Sequence, residues 1–297
     1  MQKAYGKIIW IVKRGGVRVP AKSQFLSFQG LRVHFRVAEP EGELQHRVLA
    51  LSSPLSSTFN WRKLLPELTQ LGCLVVMLDL PGFGESDCGP GVPQSNELRA
   101  NIAWGVLDEF DRKLGTDLSL WHLMAHGSAC QTILTMANEY PDSVRSQIHL
   151  SPTLERALVP RPRRAAVGGT KLEEKWFARN VQNPEGFRRF VGDLFARQPD
   201  DYVLEHMRRC LTRPGSRESF LHMLRNTALP EPAKGFSPVM VLSGGQDVLQ
   251  TEQVQETFGR LLPEAERHVL RTAGYFPMET HSKAVRDYLR GWLRYVG

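Results

Sequence analysis

Apolar and polar residues alternate over residues 25–28 and again over 31–38, on either side of Gln29-Gly30. Period-two alternation puts successive side chains on opposite faces of a strand, and a glycine-containing pair between two such runs predicts a β-hairpin. The pattern then changes. Residues 47–51 and 74–80 are short apolar runs of strand length, and 61–70 between them has helical spacing, which makes a strand–helix–strand unit. Residues 97–113 set Leu98, Ile102, Val106, Leu107 and Phe110 on one helical face. A strand at 118–125, a helix at 129–139 closed by Pro141, and a strand at 146–150 follow. Strands at 239–242 and 267–270 and helices at 253–261 and 283–295 continue the alternation. Such alternation predicts an α/β fold: a mostly parallel central sheet with helices on both faces.

Residues 152–236 break the pattern. They open with a Pro/Arg/Gly-rich loop, 160–169, and then hold three or four amphipathic helices around Trp176, 187–195, 202–211 and 219–224. The organisation expected is a basic N-terminal extension at 1–23, a core at 24–151, a helical lid at 152–236 and the rest of the core at 237–297. The start is basic, and its apolar run at 8–12 is too short for the core of a signal peptide. It reads as a flexible or surface-lying arm.

Composition narrows the picture further. The chain has 297 residues, enough for one large domain with an insertion, and no apolar stretch of membrane-spanning length. Its four cysteines, Cys73, Cys88, Cys130 and Cys210, are widely spaced with no metal-type pattern, which points to free thiols and a cytoplasmic setting. The net charge is +7, and residues 152–236 carry sixteen lysines and arginines against ten acids. These charges are interspersed and lack an aromatic–basic motif, which argues against nucleic acid and leaves a solvated surface or attraction of an anionic ligand.

The run LVVMLDLPGFGESD, residues 74–87, resembles the strand-and-loop signature of the α/β-hydrolase superfamily. SSPLSSTFNWRKLLPEL resembles that family's oxyanion loop and first helix, and SPVMVLSGGQD the strand that carries its catalytic acid. Together with the hairpin, lid and last helix, the resemblance spans roughly residues 24–296. It implies a nucleophile on a sharp strand-to-helix turn, with small residues two places before and two places after. In LMAHGSACQTILTMANEYP the turn tip falls on Gly127, flanked by Ala125 and Ala129, with Pro141 at the helix end where the family has a proline. The alternative register, with Ser128 as nucleophile, puts His126 at a position that demands a small residue.

The resemblance places the triad acid at Asp247, for which a helix N-cap or turn role is the alternative. The histidine position falls in Gly-Tyr-Phe-Pro and is Tyr275. The oxyanion His-Gly pair is replaced by Ser52 and Ser53. Triad chemistry needs a base of near-neutral pKa and an oxygen or sulfur nucleophile. Tyrosine, with an ordinary pKa of about 10, is a poor base, and glycine has no nucleophile. His281, six residues beyond Tyr275, is expected to start the last helix and point away from the crevice. His126 and His149 read as packed histidines, and Cys130 as a small buried residue or a thiol activated by the helix dipole.

The expectation is a degenerate triad at Gly127 and Tyr275, with the acid position Asp247 retained and a crevice walled by Ser52, Ser53 and Ser128. The function expected is a pseudo-hydrolase that binds a small-molecule or protein ligand, which the basic insertion allows to be anionic, with no cofactor and no metal. The rival is an enzyme using non-covalent acid/base chemistry through Asp247 and Tyr275, or a hydrolase with the displaced nucleophile Ser128.

Overall fold

The hairpin predicted from the alternating runs is present as β2 (Val19–Phe28) and β3 (Leu31–Ala38), paired antiparallel with Phe28 opposite Leu31. Its turn residues Gln29 and Gly30 both have positive φ, 49° and 84°, the backbone that two-residue hairpin turns require. A computed structural model of the chain describes residues 8–11, 19–114, 120–159, 170–225, 228–235 and 237–297. A further strand, β1 (Ile8–Ile11), pairs antiparallel with the start of β2, Ile11 opposite Val19. Both β1 and the first residues of β2 therefore fall within the stretch read as an extension. The proline-rich loop at 160–169 lies outside the described residues.

β3 pairs antiparallel with β5 (Cys73–Leu78). The remaining pairings are parallel, through β4 (His46–Leu51), β6 (Trp121–His126), β7 (Val144–Leu150), β8 (Val239–Gly244) and β9 (Glu266–Leu270). Among the described residues the order is β1-β2-β3-β5-β4-β6-β7-β8-β9. Every residue of β5 (CLVVML) and β6 (WHLMAH) is buried, as expected of strands covered on both faces. The chain leaves β4 to one side and β6 lies on the other. The C-terminal ends of β4 and β6 thus form the switch point at which parallel sheets present ligand crevices.

Two helical layers cover the sheet. On one face lie α1 (Leu65–Gln70) and α10 (Ser282–Val296), the latter burying Val285, Leu289, Trp292, Leu293 and Val296 at helical spacing. On the other lie α2 (Asn96–Leu114), α3 (Ala129–Glu139) and α8 (Glu252–Leu261), which bury Ile102, Leu107, Ile133, Leu134, Val254 and Phe258. Between β7 and β8 the chain forms a helical insertion: α4 (Thr170–Phe177) with a π turn at Ala178–Gln182, α5 (Pro184–Phe195), α6 (Asp201–Leu211) and α7 (Ser216–Arg225). Asn183 caps α5 by accepting from the Gly186 N–H at 2.8 Å, with Pro184 at the first helical position. Just before the insertion, Glu155 forms a buried ion pair with Arg99 of α2 at 2.8 Å, and Gln94 accepts from the same guanidinium at 2.6 Å. Among the described residues no helix is long and apolar enough to cross a membrane.

Candidate functional site

Two loops meet at the switch point: Ser52-Ser53 after β4, and Gly127-Ser128 between β6 and α3. Gly127 has φ +63°, the left-handed conformation that glycine adopts without penalty. Its N–H donates to the Leu150 carbonyl at 2.9 Å, fixing the turn against the end of β7. A Cβ built on Gly127 would stand 1.8 Å from the Tyr275 hydroxyl, 2.8 Å from its Cζ and 2.9 Å from the Ser53 Cβ. The phenol of Tyr275 occupies the space a side chain at the turn tip would need.

Tyr275 is fully buried. The loop between β9 and the short helix α9 (Pro277–Thr280) carries it, and its N–H donates to the Leu194 carbonyl of α5 at 2.7 Å, so the insertion holds the loop. Its ring is wedged between His126, with centroids 4.4 Å apart, and Phe276, at 4.9 Å. Burial drives the Tyr275 phenol well above its ordinary pKa, an effect that the neighbouring Ser53 hydroxyl only partly opposes. Among the described residues the hydroxyl has no hydrogen bond of good geometry. A phenol in that state can donate but cannot serve as a base.

His126 is the last residue of β6. Its Nε2 donates to the Tyr275 carbonyl at 2.7 Å, which leaves Nδ1 to accept from the Ser53 hydroxyl at 3.2 Å. Burial pushes its pKa down to about 4. Ser53 also meets Ser56 at 3.2 Å. Ser52 accepts from the Trp61 indole N–H at 2.9 Å and is committed to packing. Ser128 is fully buried, its hydroxyl has no hydrogen-bond partner among the described residues, and it starts α3 without capping it.

Asp247 lies in the turn after β8. It does not cap α8: Thr251 does, accepting from the Val254 N–H. Asp247 Oδ1 accepts from the Leu249 N–H at 2.9 Å, and Oδ2 has no hydrogen-bond partner among the described residues. Burial lifts its pKa to about 7, against the lowering from Leu249 and Gln250. The turn tip, Tyr275, Ser53, Ser128 and Asp247 are all buried at the same edge of the sheet, yet no hydrogen bond joins Asp247 to Tyr275 among the described residues.

His281 sits between α9 and α10, hydrogen-bonded to Thr272 and Thr280 at 3.0 and 2.9 Å. His149 is buried beside Gln147, and desolvation lowers its pKa to about 3. Cys130 corrects the helix-dipole expectation: it is fully buried, and desolvation raises its thiol well above the ordinary value. A dipole at a helix start does not activate a thiol removed from water.

Sequence reading missed the centre of the neighbouring loop. Asp79 Oδ1 accepts from the Thr58 N–H at 2.7 Å, and Oδ2 accepts from His34 Nδ1 at 2.7 Å and the Glu85 N–H at 3.1 Å. Ser23 Oγ lies 2.6 Å from the other nitrogen of His34. This Ser23–His34–Asp79 chain has the connectivity of a relay, but its carboxylate is spent on fastening two loops. Gly84 makes the fastening possible: a Cβ there would fall 2.1 Å from the Asp79 carboxyl carbon. The DLPGFGES string was the signal, and only the cross-strand partner His34 gave none. Among the described residues no group of three or more His, Cys, Asp or Glu side chains could hold a metal ion.

A family model described as the alpha/beta hydrolase fold matches residues 53–282. The chain belongs to the α/β-hydrolase fold family. Solved structures of the same fold include the epoxide hydrolase CorEH, with a TM-score of 0.72 and 15% identity over 93% of this chain and 100% of that one. A thermophilic esterase from Thermogutta terrifontis has a TM-score of 0.68 and 19% identity over 93% and 99% of the two chains. The haloalkane dehalogenase DbeA from Bradyrhizobium elkani has a TM-score of 0.69 and 18% identity over 93% and 98%. No curated protein matches the sequence. Within this fold the tip of the turn after β6 is Gly127.

Proposed function

We propose that this α/β-hydrolase-fold protein is a pseudo-hydrolase, a non-catalytic binder of a small molecule or protein partner, retaining the acid position Asp247 but neither the nucleophile nor the histidine. One observation carries the reading: the Tyr275 hydroxyl stands 1.8 Å from where a Cβ at Gly127 would be. Absence of the nucleophile and absence of the base are then one packing arrangement, since tyrosine fits only because residue 127 has no side chain. Solved structures of the same fold are titled epoxide hydrolase, esterase and haloalkane dehalogenase. Covalent catalysis of such bond cleavages needs an attacking oxygen at the turn. The buried Ser128 hydroxyl has no hydrogen-bond partner among the described residues to take its proton. The four unpaired cysteines support a reducing, cytoplasmic setting. Purified protein incubated with short and long acyl esters, an epoxide and a haloalkane is expected to give no turnover above buffer. Saturable turnover of any of them would overturn the reading.

A second reading, an enzyme of non-covalent acid/base chemistry, is favoured by Asp247. Its Oδ2 is unpartnered and its pKa of about 7 suits proton transfer at neutral pH. That reading requires a substrate whose turnover follows an ionisation near pH 7 and disappears in Asp247→Asn.

A further inference from the structure

The structure contains two buried arginines among its described residues, Arg99 and Arg36, and only one of them is neutralised. Arg99 pairs with Glu155. Arg36, on β3 and 4% exposed, has neither an ion pair nor a side-chain hydrogen bond to any described residue, and its Nε is wholly removed from solvent. A guanidinium does not lose its proton, so desolvation cannot be relieved by neutralisation as it can for lysine or histidine. A charge in that position calls for a counter-charge.

The surroundings supply more positive charge. Arg36 stands opposite Ser23 on β2 and Met77 on β5. Across from it, His206 of α6 stacks on Phe59 at 4.0 Å, and the Arg62 guanidinium lies 3.8 Å from the centroid of the same ring. His206 is depressed to about 4, by burial first and then by Arg209, Arg36 and Arg62, with Glu85 in opposition. Arg62, the residue after the 3-10 turn Thr58–Trp61, thus shares the Phe59 ring with His206, and Arg209 follows His206 by one turn of α6. The acids nearby are already engaged. Glu279 takes Arg62 and Lys63, Glu85 takes Arg209 at 3.2 Å, and Asp79 takes His34 and two backbone N–H groups.

We propose that Arg36, with Arg62, Arg209 and His206, binds a small oxyanion, the phosphate or carboxylate group of a ligand, between β3 and helix α6. Guanidinium forks match the paired oxygens of either group, and His206 adds a ring N–H from the insertion side. The site deepens the ligand-binding reading by giving the ligand a charged group. It rests on that reading, but its test measures binding and not turnover, so the two can fail separately.

The test is calorimetric titration with inorganic phosphate and, separately, acetate, at ionic strength held constant with potassium chloride. Saturable one-to-one binding of at least one anion is expected, and the anion that binds identifies the group recognised. Arg36→Met should weaken binding about tenfold or more, as loss of a charge-assisted pair does. It should also raise the thermal midpoint in anion-free buffer, because it removes an uncompensated buried charge. Arg209→Gln, at an exposed position, should weaken binding several-fold, whereas Arg188→Met, an exposed arginine of α5 outside the cluster, should leave it unchanged. Absence of binding by both anions, or equal binding by wild type, Arg36→Met and Arg209→Gln, overturns the proposal.

Discussion

Gly127 and Tyr275 form a reciprocal pair, each residue permitting the other. Replacing Gly127 by alanine places a methyl against a phenol already wedged between His126 and Phe276, and forces a non-glycine residue into φ +63°. Overpacking and left-handed strain together should cost about 2–4 kcal/mol in denaturant unfolding. In a Tyr275→Ala background the same replacement should cost only the strain, giving a coupling of about 1–3 kcal/mol. Additive effects in that cycle would mean the ring is elsewhere. Asp247→Asn should raise the melting temperature at pH 8, where the native carboxyl is ionised at the expense of burial. The register that sets Gly127 at the turn tip and Tyr275 in the loop before α9 was legible in the sequence, from Ala125, Ala129, Pro141 and the Gly-Tyr-Phe-Pro string. The filling of one by the other was not, because a rotamer's direction has no one-dimensional signature.

Elements were legible wherever burial imposes a period. β5 is an unbroken apolar run and β6 an apolar run ended by His126 and interrupted by His122, both buried along their length, and α10 presents one apolar stripe. The edge was harder: β1 is a four-residue strand beside a basic stretch, and its apolar run alone does not distinguish a strand from an arm. Ion pairs between elements left no trace at all, since Arg99 and Glu155 are 56 positions apart. That pair joins α2 to the start of the insertion, and Arg99→Met should cost about 3 kcal/mol or more by stranding a buried carboxylate. Arg99→Met combined with Glu155→Leu should recover much of the loss. Urea unfolding of the single and double variants measures both, and a single variant as stable as wild type would refute the coupling.

At the scale of the molecule, three fully packed histidines make folding acid-sensitive. His122, His126 and His149 are held at about 3, about 4 and about 3 by desolvation, against 6.5 when exposed. Below pH 6.5 the unfolded chain binds protons there that the native chain refuses, so stability falls as pH falls. Asp247 opposes them, since its raised pKa lets the native state hold a proton the unfolded chain has released. His206 is depressed as well, and Glu155 is raised like Asp247, so the depressed histidines outnumber the raised carboxyls and stability falls between roughly pH 6 and 4. Unfolding midpoints across that range check the slope, and a flat profile would contradict it. The oxyanion proposed at Arg36 adds a ligand dependence to the same stability curve. The central claim, that this hydrolase fold lacks an attacking group at its turn, is tested most directly by intact-mass analysis after prolonged exposure to a fluorophosphonate. The account predicts a wholly unmodified chain, and a stoichiometric adduct mapped to Ser128 would contradict it.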